Sequence, residues 1–294
     1  MAVVLAYITV VLIWTTTPLA IVWSGETDWF FGVASRTALG ALLILPFYYW
    51  FKKDSFRYDF SALRIYFFAA MPIFGGMTLM YWAGQYLPSG WLAIIFAMTP
   101  VTTGLFAYFL LPNQSLTVRK IIAIILSLTG LLSIFIPNLD TDLIEFQLMA
   151  IIAAILSVSF HSLGSVLVKR CGTSLPSLHV VVGALWFSVL GHLLIAPTTL
   201  VHWPELMPRE VYAILYAASV GSVIGFLLYF YLVKNVDAMK VALIPVITPV
   251  FALLFGHFLN DENLTWTTWF GTGLVILGLI LFEWRFKTKV KQVN

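Results

Sequence analysis

The feature that most constrains this chain is a series of apolar runs, each about 17 to 25 residues long, that recurs from one end to the other. A run of this length can cross a hydrocarbon core of about 30 Å as an α-helix, which satisfies all its backbone polar groups internally. Of the 294 residues, 61% are hydrophobic and 10% are charged, whereas a soluble domain carries about 25% charged residues. A water-soluble fold is excluded, and the sequence predicts an all-α integral membrane protein.

Ten membrane spans are predicted, so both termini lie on one side of the membrane. Basic residues concentrate in alternate connecting segments, for example Lys52, Lys53, Lys169 and Arg170, whereas Arg209 is the one basic residue predicted on the opposite side. Because short loops rich in Lys and Arg stay in the cytoplasm, both termini are predicted to be cytoplasmic, in a bacterial inner membrane. The predicted spans cover residues 3–22, 30–50, 64–84, 90–111, 119–136, 146–168, 178–196, 211–232, 240–259 and 266–285.

An internal repeat relates the third to fifth spans to the eighth to tenth. Thr99-Pro100-Val101 recurs as Thr248-Pro249-Val250, and Gly76 recurs as Gly225 at the same offset. Isolated Leu and Ala matches are common in apolar chains, but a Thr-Pro-Val triplet in register with a glycine is harder to obtain by chance. The pattern indicates a duplication.

The duplication predicts two five-span units, at residues 1–140 and 146–286, followed by a basic cytoplasmic tail at 287–294. Because five is an odd number, the second unit enters the membrane with the opposite orientation. Inverted repeats are typical of transporters, in which two related halves exchange conformations around a central site. The alternative is that the duplication merely enlarged a stable bundle.

Several short motifs, in a fixed order across the two halves, resemble the EamA type of the drug/metabolite transporter superfamily. The resemblance implies a ten-helix inverted-repeat fold with a central cavity lined mainly by spans 1, 3, 4, 6, 8 and 9, and it implies no particular substrate. Asn113 departs from the family pattern, because the family usually has a glutamate there, as at Glu262 in the second half. The resemblance is carried by Trp14, Pro18, Arg36, the run Ala93 to Pro100, its counterpart Ala242 to Pro249, Glu262-Asn263-Leu264, and Gly271, Gly273 and Gly278.

Candidate substrate-binding residues come from the spans expected to face that cavity. Aromatic rings with polar tips can stack on planar solutes, hydroxyl groups can supply polar contacts, and His161 near the middle of the sixth span can change charge near neutral pH. The alternative for each residue is ordinary helix packing or a bond to its own backbone. The candidates are Trp14, Thr17, Tyr81, Trp82, Thr99, His161, Tyr229, Tyr231 and Thr248.

Prolines inside spans are candidate hinges, because they remove a backbone hydrogen bond and bend the helix. Pro18, Pro100 and Pro249 are assigned this role, with passive kinking as the alternative. Arg36 lies about two turns inside the second span, where a structural role is favoured over ligand binding.

Three rival classes of protein find little support in the sequence. An enzyme would need a clustered catalytic or metal set, a channel would need a filter or charged ring, and a receptor would need an extramembrane domain. The single cysteine, Cys171, allows no disulfide within one chain, and we expect no metal ion, cofactor or nucleic acid.

We therefore expect a transporter whose partners are a small-molecule substrate and the lipid bilayer, with homodimerisation left open. Export of amino acids or related metabolites is the first prediction, because that role is common among similar proteins. Uptake of a planar vitamin such as riboflavin is the alternative, and the aromatic candidates favour it.

Overall fold

The structure is a computed structural model that describes residues 2–51, 55–112, 114–171, 175–225, 227–228, 232 and 244–283. Within these ranges every regular element is a helix. The helices of the first half are α1 (Ala2–Ser24), α2 (Trp29–Phe51), α3 (Phe60–Ala83), α4 (Ser89–Leu110) and α5 (Val118–Asn138). Those of the second half are α6 (Ile144–Cys171), α7 (Ser177–Ile195), α8 (Pro208–Tyr216, continued by Ala217–Ile224), α9 (Ile244–Asn260) and α10 (Trp266–Glu283).

Eight of these helices, α1 to α7 and α10, are long and apolar enough to cross a membrane. They expose rows of large apolar side chains, such as Ile122, Ile125 and Leu132 on α5 and Ile152 and Leu156 on α6. A surface of this kind suits lipid and would associate in water. The chain is therefore a multi-pass membrane protein. The predicted eighth span continues into residues outside the described part, and α9 is shorter, so the count of ten spans stays a prediction.

Two of the described helices begin three or four residues earlier than the hydrophobic pattern predicts. α3 starts at Phe60, four residues before the predicted position 64, and α8 starts at Pro208, three residues before 211. Proline is tolerated in the first turn of a helix, where its missing N–H has no intrahelical partner to lose. The Glu210 carboxylate accepts a hydrogen bond of 2.8 Å from the Met207 N–H and so caps this end of α8.

Two glycines allow close contact between helices where α5 crosses α10. A Cβ atom placed on Gly271 would lie 2.5 Å from the carbonyl oxygen of Gly130, and one on Gly130 would lie 2.6 Å from the carbonyl oxygen of Gly271. Small residues permit such an approach, which is the usual basis of helix association in lipid. The two helices consequently pack backbone against backbone.

The start of α4 is joined to the loop after α9 by a buried carboxylate. Glu262 accepts hydrogen bonds from the N–H groups of Ser89 and Gly90, at 2.8 and 3.1 Å, and from the side-chain amide of Asn260 at 3.2 Å. The first N–H groups of a helix lack intrahelical partners, so this carboxylate caps α4 from the other half of the chain. Asn113, the counterpart of Glu262, lies outside the described residues.

Candidate transport cavity

A small, mainly apolar cavity of about 30 Å³, with an arginine and a histidine in its lining, lies where α2, α3, α6, α7 and α8 meet. Polar groups deep inside an apolar bundle are costly, and their presence there marks a functional site more often than packing does. Of the spans that the family resemblance implies, 3, 6 and 8 contribute to this lining, together with 2 and 7. The lining residues are Arg36, Thr37, Pro72, Ile73, Met77, His161, Leu185 and Ser222.

Arg36 supplies the positive charge of this cavity. Its side chain is 6% exposed, and it is the only arginine or lysine among the described residues that is buried. Its Nε donates to Ser222 Oγ at 3.4 Å on α8, and its Nη1 approaches Met77 Sδ at 3.9 Å on α3. One guanidinium therefore connects three helices of the site.

Wide helical turns flank the guanidinium on two sides. α3 is a π-helix over Pro72–Gly76, and α8 is a π-helix over Ala217–Ile224. Pro72 cannot donate a backbone hydrogen bond, and Ser222 donates its hydroxyl to the carbonyl of Ala217, five residues earlier. π-Helical turns are rare and are found frequently at functional sites. Here they occur in the third and eighth spans, which the sequence repeat relates to each other.

His161 lies at the α6 side of the cavity. Its ring makes an edge-on contact with Phe96 of α4, at 5.0 Å between centroids. Its Nδ1 atom is buried without a hydrogen-bond partner among the described residues. Of the nine predicted substrate-binding residues, His161 is the one that the described cavity includes.

The other described candidates lie around the cavity without lining it. The Thr17 hydroxyl donates to the carbonyl of Ile13 at 2.7 Å. Trp14 packs against an apolar cluster at the N-terminal half of α1. Trp82 makes an edge-on contact with Tyr86, and Thr248 is buried on α9. For these four residues, a role in substrate binding stays a prediction.

Tyr81 is turned away from the cavity. It is 0% exposed, and its hydroxyl forms a hydrogen bond of 2.9 Å with Ser24 Oγ on α1. The ring lies against Gly32 of α2, where an added Cβ would approach it to 3.1 Å. The structure places Tyr81 in the packing between α1, α2 and α3, and its role in binding stays a prediction. Tyr229 and Tyr231 lie outside the described residues.

The three proline positions differ in their helical context. α4 is interrupted at Met98, between helical segments Ser89–Ala97 and Thr99–Leu110, and Pro100 occupies the first turn of the second segment. Because Pro100 has no N–H, the Phe96 carbonyl loses its usual donor, and Thr99 Oγ1 donates to it instead at 2.5 Å. Pro18 and Pro249 lie inside continuous helices.

Arg36 is a lining residue that the sequence itself marks, because an arginine inside an apolar span is a functional indication. The sequence favours a structural role for it, and a role in ligand binding is proposed below. Thr37, Ile73, Met77 and Leu185 could not be selected, because hydropathy identifies a span without identifying which of its faces lines a cavity.

Comparison with known proteins agrees with this architecture. The EamA-like transporter family matches residues 1–136 and again residues 148–284. An uncharacterised transporter of Buchnera aphidicola is 26% identical over 291 residues, covering 94% of this chain and 93% of its own length. The uncharacterised inner membrane transporter YedA of Escherichia coli is 29% identical over 202 residues, covering 67% and 62%. A crystal structure at 17% identity matches 95% of both chains with a TM-score of 0.62, which shows a shared fold.

The helices and the family match together define a membrane transporter of small molecules. The chain belongs to the EamA-like transporter family, within the drug/metabolite transporter superfamily.

Proposed function

We propose that this protein exports amino acids or related small metabolites across the bacterial inner membrane by alternating access. The observation that carries the proposal is the cavity between α2, α3, α6, α7 and α8, with a buried arginine and a half-buried histidine in its lining. A volume of about 30 Å³ accommodates one functional group, whereas binding sites for small molecules enclose about 300–1,000 Å³. The surrounding helices therefore separate when cargo enters.

Helix packing supports the proposal that two inverted five-helix units form the carrier. α1 packs on α9 as α6 packs on α4, and α3 packs on α7 as α8 packs on α2. In each comparison, the second pair consists of the two helices that correspond to the first pair in the other half of the chain. Related contacts of this kind let one half adopt the conformation of the other, which is how inverted repeats open a central site to alternate sides.

Local helix geometry supports movement at defined places. The π-helical turns of α3 and α8 and the interruption of α4 at Met98 are points where regular hydrogen bonding is already lost. Bending at such points costs less than bending a continuous helix. Pro100 and Pro249 are proposed as the corresponding hinges in α4 and α9.

Counterflow in liposomes containing only this protein tests the proposal. The vesicles are loaded with unlabelled solute and diluted into the same solute in radiolabelled form, without an ion gradient, for a panel of amino acids and riboflavin. Transient accumulation of labelled amino acids is expected, and accumulation of riboflavin alone would favour the vitamin alternative. Absence of counterflow for every solute, with folded protein confirmed by size-exclusion chromatography, would contradict the proposal.

A further inference from the structure

We propose that Arg36 is the anion-binding group of the transport cavity and that the cargo it recognises carries a single carboxylate. The inference rests on the proposed transport function and assigns the charge of the substrate. It follows from three observations. The guanidinium is buried, the buried carboxylates already accept hydrogen bonds from other groups, and Arg36 lies between the two π-helices.

The Arg36 charge is buried without a carboxylate partner among the described residues. Two ion pairs in the described part of the chain join Arg57 to Asp59 and Arg209 to Glu26, and all four side chains are more than 40% exposed. Among the described residues, the partners of Arg36 itself are a hydroxyl and a thioether, both uncharged. An uncompensated buried charge is strongly destabilising, so a protein retains one where function requires it.

The buried carboxylates of the described bundle are already occupied. Glu262 accepts from two backbone N–H groups at the start of α4. Glu210 accepts from the backbone N–H and the hydroxyl of Thr27, both at 2.7 Å, and from the Met207 N–H at 2.8 Å. Each carboxylate caps or joins helix ends, and neither forms an ion pair with Arg36. Because no carboxylate among the described residues pairs with Arg36, we infer that a bound solute supplies its counter-charge.

A monocarboxylate fits this site better than other anions do. The guanidinium is a planar fork that binds two carboxylate oxygens side by side, and these charge-assisted bonds are the strong ones. One positive charge neutralises one carboxylate, whereas a phosphate ester with nearly two negative charges would leave net charge in the bilayer interior. A cation would be repelled, because no described carboxylate lines the cavity.

The position of Arg36 couples this binding to the moving segments. Ser222 lies within the π-helix of α8, and Met77 follows directly after the π-helix of α3. A carboxylate that takes over the donors of Arg36 replaces its contacts with both residues. Binding thus loosens the connection from α2 to α3 and α8, the two spans related by the repeat.

The test compares carboxylates with the corresponding carboxamides, which lack the negative charge, in wild-type proteoliposomes. The labelled probes are L-phenylalanine and L-phenylalaninamide, benzoate and benzamide, with phenyl phosphate as the dianionic competitor. We expect counterflow of the carboxylates to exceed that of the amides at least tenfold, with inhibition by unlabelled benzoate and not by phenyl phosphate. Arg36→Gln should abolish the difference, Arg36→Lys should retain part of it, and Arg64→Gln, on the exposed face of α3, should leave it unchanged.

A binding measurement keeps the result interpretable if Arg36→Gln does not fold. At constant ionic strength, benzoate should raise the melting temperature of the wild-type protein in detergent more than benzamide does. Counterflow of amides or phenyl phosphate at the same rate as carboxylates would overturn the inference and leave transport standing. Stabilisation by benzoate without counterflow of any probe would overturn the proposed transport and retain the anion site, and equal stabilisation by benzoate and benzamide would overturn the site.

Discussion

Buried polar side chains in the described part of this bundle are used mainly to satisfy backbone groups that the helices leave unpaired. Thr99 replaces the donor that Pro100 removes, and Ser157 donates to the carbonyl of Gly76 at 2.6 Å, at the end of the π-helix of α3. The bilayer interior holds no water that could hydrogen-bond these groups, so each unsatisfied backbone group costs roughly several kcal/mol. Individual polar residues therefore determine where a helix can start, widen or break.

Glu262 provides the clearest test at the scale of one residue. Glu262→Gln replaces an acceptor of two backbone N–H bonds by a neutral amide, so we expect a loss of about 1–3 kcal/mol and a lower melting temperature in detergent. Asp261→Asn is the matched control, because Asp261 is exposed and its positive φ of 50° is one that asparagine tolerates. Equal melting temperatures for the two variants would show that the cap contributes nothing.

Helices in this protein pack closely where small residues face each other, and π-helical turns occur at related places in the two halves. The hydrophobic runs predicted the described helices to within a few residues at most ends, because the bilayer thickness fixes the length of a span. The π-helices and the interruption at Met98 were not predictable, since they depend on which neighbouring side chain supplies the missing hydrogen bond. Tyr81 illustrates the same limit: its span was predicted, but not that its hydroxyl would turn to Ser24.

The crossing of α5 and α10 predicts a contrast between two glycines of α10. Gly271→Ala would place a Cβ against the Gly130 carbonyl, whereas a Cβ on Gly273 meets no atom within 4 Å. We expect Gly271→Ala to lower the melting temperature and Gly273→Ala to leave it unchanged or raise it, since alanine favours a helix by about 1 kcal/mol over glycine. A loss of stability in Gly273→Ala alone would contradict the packing described above.

The hinge proposal predicts a contrast between two prolines. Pro100→Ala allows the Phe96 carbonyl to regain a backbone donor, so α4 should become continuous and the counterflow rate should fall severalfold with little loss of stability. Pro46, inside α2 and exposed, is the control, and Pro46→Ala should not change the rate. Unchanged counterflow in Pro100→Ala would remove Pro100 from the mechanism.

The described part of the molecule presents an apolar exterior around a small cavity that holds a buried arginine, and the proposed mechanism depends on opposite orientations of the two halves. The sequence predicted the multi-pass membrane fold and the family, and both are confirmed. His161 lines the described cavity, and its role in binding stays a prediction. For Arg36, one sequence shows that a charge lies in a span but not what surrounds it. Distances to Ser222 and Met77, on distant parts of the chain, supplied that information.

The inverted orientation is open to a direct labelling test in a Cys171→Ser background, since Cys171 is the single cysteine. Ser55→Cys lies between α2 and α3, and His202→Cys lies at the corresponding place between α7 and α8; both positions are exposed. A membrane-impermeant maleimide added to spheroplasts should label position 202 and not position 55. Labelling of both positions would contradict the proposed inversion, whereas labelling of position 55 alone would contradict the predicted cytoplasmic location of the termini.

The measurement that tests alternating access most directly is trans-stimulation. Proteoliposomes are preloaded with a labelled carboxylate that shows counterflow, and its efflux is followed with and without the same unlabelled carboxylate outside. The account predicts faster efflux when external solute is present, because the loaded carrier returns more readily than the empty one. Efflux that is independent of external solute would indicate a pore and would contradict the account.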